Sequence, residues 1–423
     1  MIIQAALPTD QVAAVQRRTI AVLSTAQILS GIAIAGAVPV GALLAGSIAG
    51  SDAAAGLAQT FTITGSALIA LPLARIALSR GRRVALSTGF GIGAVGAVVI
   101  IYGAVLRSLA LVYLGCLIFG VASAAGYQAR YSATDLAPES HRARALSWVV
   151  WAGTIGAVLG PNLLNFSGSV GMALGLPQLS GPYVISGITL VAATIVLFLL
   201  LRPDPYLLAT ANRAAISGVV ERPRLQDALG HVRGRPRAIL GIAAVAIGHV
   251  VMVMVMVMTP IHMAHVDVSL QLIGFVISVH VAGMYAFSPV VGWGVDRLGR
   301  IQVIVIGIGI LAAACVISGL APGDNTWQLG IGLFLLGLGW SCTLIAGSTL
   351  LTDEVAAPDR PAAQGLSDLI MNVAGGVGGA AAGVIVLFAS YGALCGASLV
   401  PLIGFGVVVA LPACRRHSNT RSI

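Results

Sequence analysis

Apolar stretches of roughly 20 residues return twelve times along this 423-residue chain, and each is long enough to span a bilayer as a helix. They lie near 19–46, 54–77, 84–106, 109–132, 145–167, 182–201, 238–260, 270–292, 301–320, 327–350, 363–388 and 392–413. Open strands cannot cross lipid, because their backbone groups would find no partners there. With 58% hydrophobic and 9% charged residues, a water-soluble globule is excluded, since soluble domains carry about 25% charge. The expected fold is therefore an all-α membrane protein of twelve transmembrane helices. Its 53 glycines favour the close backbone approach that packs helices in lipid.

Every one of the 23 basic residues is Arg. With both termini cytoplasmic, all but Arg107 fall on cytoplasmic loops, helix ends or tails, as the positive-inside rule asks. The +9 formal charge then reflects topology and contact with anionic membrane lipid, and no nucleic-acid partner is expected. Residues 1–18 lack the charged start, short apolar core and cleavage site of a signal peptide. A multi-pass protein of a bacterial inner (plasma) membrane is expected, with a monomer as its state. The five cysteines form no C-x-x-C pair, so neither a disulfide framework nor a thiolate metal site is indicated.

The hydrophobic pattern breaks at 202–237, which is rich in Arg and Pro. This divides a six-helix bundle at 19–201 from another at 238–413, leaving tails at 1–18 and 414–423. The halves look duplicated. Pro138-Glu-Ser-His-Arg-Ala-Arg-Ala-Leu-Ser147 precedes Pro358-Asp-Arg-Pro-Ala-Ala-Gln-Gly-Leu-Ser367 by 220 residues. Gly81-Arg82 lies 218 residues before Gly299-Arg300. Two matches at nearly one offset argue for pseudo-symmetric six-helix bundles, and such repeats suit rocking around a midplane site.

Residues 249–284 hold six of the nine methionines and four of the seven histidines. Thioether and imidazole together suit a soft ion such as Cu(I); neither suits Mg²⁺ or Ca²⁺, and Zn²⁺ rarely takes methionine. At about 100° per residue, Met252 and Met256 share a helix face with His249, while Met254 and Met258 form a second stripe that His262 extends. His280 and Met284 repeat the i, i+4 spacing one span later. An ionisable group inside a span is costly and marks a functional site by default. Met as a core filler and His280 as a hydrogen-bonded structural residue are the competing readings. At the outer end of that span, His262, Met263 and His265 either collect metal or are solvated loop residues.

The loop Gly292-Trp-Gly-Val-Asp296-Arg297-Leu-Gly299-Arg300 resembles the G-x-x-x-D-R-x-G-R signature of the major facilitator superfamily, which gates the inner mouth in that family. The resemblance implies that Asp296 pairs with a helix N-terminus or an Arg and that Gly299 permits a tight turn. The first-half copy departs from it, with Leu78 and Ser79 where the acid and Arg belong, so any ion pair there must be weaker or differently built. Gly153, Gly156, Gly160 and Pro161 resemble part of an antiporter motif in span five, although Leu163 and Leu164 replace the glycines that should follow; close packing plus a kink explains them equally. Met252-x-x-x-Met256 followed by His280-x-x-x-Met284 resembles the CcoA-like branch of the superfamily, bacterial copper importers. That resemblance implies copper import by alternating access, with copper as cargo and no cofactor. A proton-coupled multidrug or metabolite efflux antiporter of the same fold is the alternative. No phosphate loop, nucleophile triad or zinc-hydrolase spacing is present, so no enzyme is expected.

Overall fold

The computed structural model describes residues 8–50, 52–217, 226, 230, 232–264, 266–268 and 270–410. The 414–423 tail and residues 1–7 lie outside the described residues, as does His265. Twelve helices are long and apolar enough to cross a membrane, as the sequence leads one to expect. By contact the chain divides into two units: Met1–Leu229 with Ala356–Asn372, and Gly230–Val355 with Val373–Ile423.

The first unit is built from α1 (Thr9–Ala49), α2 (Asp52–Arg80), α3 (Arg82–Val105), α4 (Leu109–Ser132), α5 (Arg142–Asn162), α6 (Leu164–Ala173), α7 (Gly181–Leu200) and α8 (Pro205–Ser217). Here α3 packs on α4 and α7, α1 on α5 and α7, and α2 on α4. Leu23, Phe90, Phe119, Leu190 and Tyr183 fill its core. The Tyr183 hydroxyl donates to the Ala37 carbonyl at 2.9 Å, which satisfies the one polar atom of a buried ring. Ends are set locally. Ser108 caps α4 by accepting the Leu111 N–H at 3.4 Å, and Gly50 closes α1 in the left-handed conformation at φ 65°.

The second unit holds α9 (Pro236–Ala264), α10 (Leu270–Tyr285), α11 (Ser288–Leu298), α12 (Arg300–Gly319), α13 (Thr326–Glu354) and α15 (Tyr391–Ala410). Helix α14 (Arg360–Phe388) begins in the first unit and ends in the second. Contacts repeat the first half: α12 on α13 and α15, α10 on α13.

Two spans and one connection differ from what was read in the sequence. Span five is broken at Leu163, whose N–H is shared between the Leu159 and Gly160 carbonyls, two residues beyond Pro161. The predicted 270–292 span is two helices, α10 and α11. Pro289 in the first turn of α11 has no N–H to continue the ladder. The 202–237 connection carries a helix of its own, α8. By contrast α9 runs through Pro260 without ending.

Candidate functional site

The central portion of α9 lies against three neighbours, which sorts its methionines. Gly241 and Gly248 sit against Gly347 and Thr343 of α13. Met252, one turn past Gly248 and buried, lies on that α13-facing stripe, with half-buried Met256 a turn further. Met254 turns the other way. Its Cγ lies 3.3 Å from the Cβ position of Gly378 in α14, and the Ser398 hydroxyl of α15 approaches its Sδ at 3.9 Å. Met254 is thus taken up by packing on α14 and α15. Met258, on the same stripe, is half-buried.

His280 and Met284 occupy the face of α10 that meets α13. Gly337 of α13 lies against the His280 carbonyl and the Met284 N–H, and Gly283 against Phe334; these glycines let the two backbones touch. The imidazole is 1% exposed. Its Nδ1 lies 2.8 Å from the Leu333 carbonyl. A carbonyl only accepts, so Nδ1 carries the proton and Nε2 the lone pair. Nε2 is fully enclosed and has no hydrogen-bond partner among the described residues. Buried polar atoms rarely go unmatched.

The remaining histidines are held differently. His249 accepts the Trp340 indole N–H at Nδ1, 3.1 Å away, and a Cβ on Gly375 of α14 would stand 2.8 Å from its ring edge. Trp340→Phe removes that donor from a buried acceptor. The thermal midpoint of purified protein should then fall by the equivalent of about 1 kcal/mol. His262 stacks on Tyr391, ring centroids 4.4 Å apart, and its Nε2 lies 3.3 Å from the Ala321 carbonyl. Met263 is wholly buried. Among the described residues no three His, Cys, Asp or Glu side chains are grouped to hold a metal, so a metal would depend on methionine sulfur.

Asp296 lies 4.0 Å from Arg300, whose Nε donates to Asp353 at 2.8 Å. Gly299 takes φ 108°, open to glycine alone at low cost. Arg297 lies over the Trp293 ring at 5.2 Å. Gly292 is buried in α11. In α5, a Cβ on Gly156 would stand 2.6 Å from the Gly31 Cα, and one on Gly160 would stand 2.7 Å from the Gly36 N. Both glycines therefore serve close packing on α1, and α5 continues through Pro161 to Asn162.

Sequence reasoning missed how the charged residues of the first unit pair. Arg82 donates to both oxygens of Asp135, at 2.9 and 3.3 Å, and to Gln364. The separation of 53 residues is the same as that of Arg300 and Asp353, so aligning the repeats would have found it. Arg130 donates to Asp368 at 2.7 Å. Asp368 is fully buried. No spacing pattern links residues 238 positions apart.

Residues 23–267 and 242–421 match the sequence profile of the Major Facilitator Superfamily. An uncharacterized MFS-type transporter of Bacillus subtilis (strain 168), YdeG, is 40% identical over 89% of this chain and 88% of its own length. The riboflavin transporter RfnT of Brucella anthropi is 28% identical over 86% of this chain and 87% of its own. Among solved structures, the human organic anion transporter MFSD10 superposes with a TM-score of 0.71 at 16% identity. It covers 93% of this chain and 99% of that one.

Proposed function

Because the chain belongs to the major facilitator superfamily, whose members are alternating-access membrane transporters and not enzymes, we propose that this one imports copper. The route would cross a bacterial inner membrane with both termini cytoplasmic, and Met252, Met256, His280 and Met284 would be the cargo ligands. One observation carries the reading: a buried imidazole fixed by a backbone carbonyl, with its Nε2 lone pair unmatched. Metal-binding histidines are oriented in this manner, the second nitrogen donating to a carbonyl. Met284 lies one turn on along α10, and helical spacing puts Met252 on the stripe of α9 that faces α13. Neutral thioethers and a neutral imidazole bind Cu(I) softly enough to release it, which suits passage more than storage. His262 and Met263 are too firmly packed to serve as a mobile collecting arm.

Radioactive copper accumulation in cells with and without the protein tests this. His280→Ala and Met256→Leu should each lower the protein-dependent uptake at least tenfold (about 1.4 kcal/mol or more) at unchanged membrane abundance. Full uptake in both variants removes the assignment.

A second reading, a carrier of a planar organic molecule, draws on the riboflavin-transporting relative and on the aromatic group around Trp340. Tyr285 meets that indole edge-on at 5.8 Å, and His249 is hydrogen-bonded to it. Radiolabelled riboflavin in the same cells separates the readings: flavin uptake that survives His280→Ala, with no copper uptake, favours the second.

A further inference from the structure

Asp204 stands just beyond α7, outside every motif singled out in the sequence, yet its carboxylate does two tasks. Oδ2 accepts the backbone N–H of Arg83 at 2.7 Å, in the first turn of α3. Oδ1 accepts the N–H groups of Tyr206 and Leu207 at 3.0 and 3.1 Å, in the first turn of α8. One buried acid thus satisfies otherwise unpartnered donors at two helix starts and sets negative charge against their positive dipole ends.

The approach depends on Gly81. Its φ is +88°, and a Cβ there would lie 2.5 Å from Asp204 Oδ2 and 2.6 Å from Cγ. At the repeat offset of 218, Gly81 corresponds to Gly299, Arg82 to Arg300 and Leu78 to Asp296. The first-half loop therefore keeps the glycine and arginine of the signature and lacks its acid. A carboxylate is present at that turn all the same, delivered from residue 204.

Tyr206 extends the arrangement. Its hydroxyl donates to the Pro358 carbonyl at 2.7 Å, and its ring lies 6.0 Å from the Arg82 guanidinium. Arg82 in turn holds Asp135 and Gln364. We propose that Asp204, with Tyr206, replaces the acid missing from the first-half loop and positions Arg82 in its clasp with Asp135 and Gln364. Asp204 is a positioning residue: it touches the backbone beside Arg82 and acts through it. The gate signature has been rebuilt from a segment outside the loop, so the loop's sequence alone understates the device.

Hydrogen exchange on the full-length protein in lipid nanodiscs tests this without reference to cargo, so its outcome is independent of the copper assignment. Asp204→Ala should speed exchange at least tenfold in peptides covering 82–88 and 357–367, leaving 300–306 unchanged. Asp204→Asn, which keeps the shape and loses the charge, should do the same to a smaller degree and serves if the alanine variant yields no protein. Adding Leu78→Asp to either variant should restore slow exchange, because it returns the acid to its place in the signature. Wild-type exchange in both single variants, or no recovery on adding Leu78→Asp, overturns the proposal. A global rise that includes 300–306 overturns it too, since it would mark general destabilisation.

Discussion

Asp368→Leu should destabilise the purified protein by about 3–5 kcal/mol, whereas Asp368→Leu combined with Arg130→Met should recover most of that loss. The reason lies in enclosure. The side chains of Arg130 and Asp368 are 3% and 0% exposed, and one nitrogen and one oxygen meet at 2.7 Å. Arg130 Nε and Asp368 Oδ2 have no hydrogen-bond partner among the described residues. The guanidinium lies 4.6 Å from the Tyr131 ring centre and 5.6 Å from that of Tyr127; these rings offer attraction, but no countercharge. Removing the acid leaves a cation that neither water nor lipid can neutralise, and removing both leaves an apolar contact of similar volume. Thermal unfolding of single and double variants in one detergent reads the difference. Equal losses in the two would show that the pair contributes through shape and not through charge.

Gly120→Leu should abolish recovery of monodisperse protein, and Gly65→Leu should do the same, while Gly309→Leu should leave it unchanged. A Cβ on Gly120 overlaps the Thr62 carbonyl, and a Cβ on Gly65 overlaps the Leu117 carbonyl. So α2 and α4 are in backbone contact at two places. In lipid, association of helices comes from such packing and not from expulsion of water, so forcing this pair apart removes its main source of cohesion. The clash is with backbone, which cannot swing aside as a side chain can, and the cost should exceed the roughly 1–3 kcal/mol usual for overpacking. Gly309 has nothing within 4 Å of its Cβ position, so leucine there projects into open space. Fluorescence-detected size exclusion of tagged variants checks all three; a sharp peak from Gly120→Leu would show that α2 and α4 separate at little cost.

The spans were legible because length and hydropathy alone decide what crosses lipid. Gly299 takes a left-handed turn and Arg300 pairs with Asp296 and Asp353, arrangements for which the local sequence already carried the glycine and the charges. What periodicity could not supply was the neighbour of each face. It divided the methionines of α9 into two stripes, but only Ser398 and Gly378 reveal that Met254 is occupied by packing. In the same way the burial of Asp368 opposite Arg130 could not be read, because it requires α4 to meet the start of α14. Asp204 was missed for a different reason. Its partners are backbone N–H groups, which leave no trace in sequence, and its only local sign is the glycine that gives it room.

The two arginine–aspartate pairs separated by 53 residues also differ in access to the medium. Arg82 and Asp135 have side-chain exposures of 1% and 2%, against 17% and 11% for Arg300 and Asp353. Dissolved ions screen charges they can approach and leave enclosed ones nearly untouched. A rise in cellular salt would therefore loosen the later pair while the earlier one keeps its grip, giving two contacts of equal spacing unequal responses to osmotic stress.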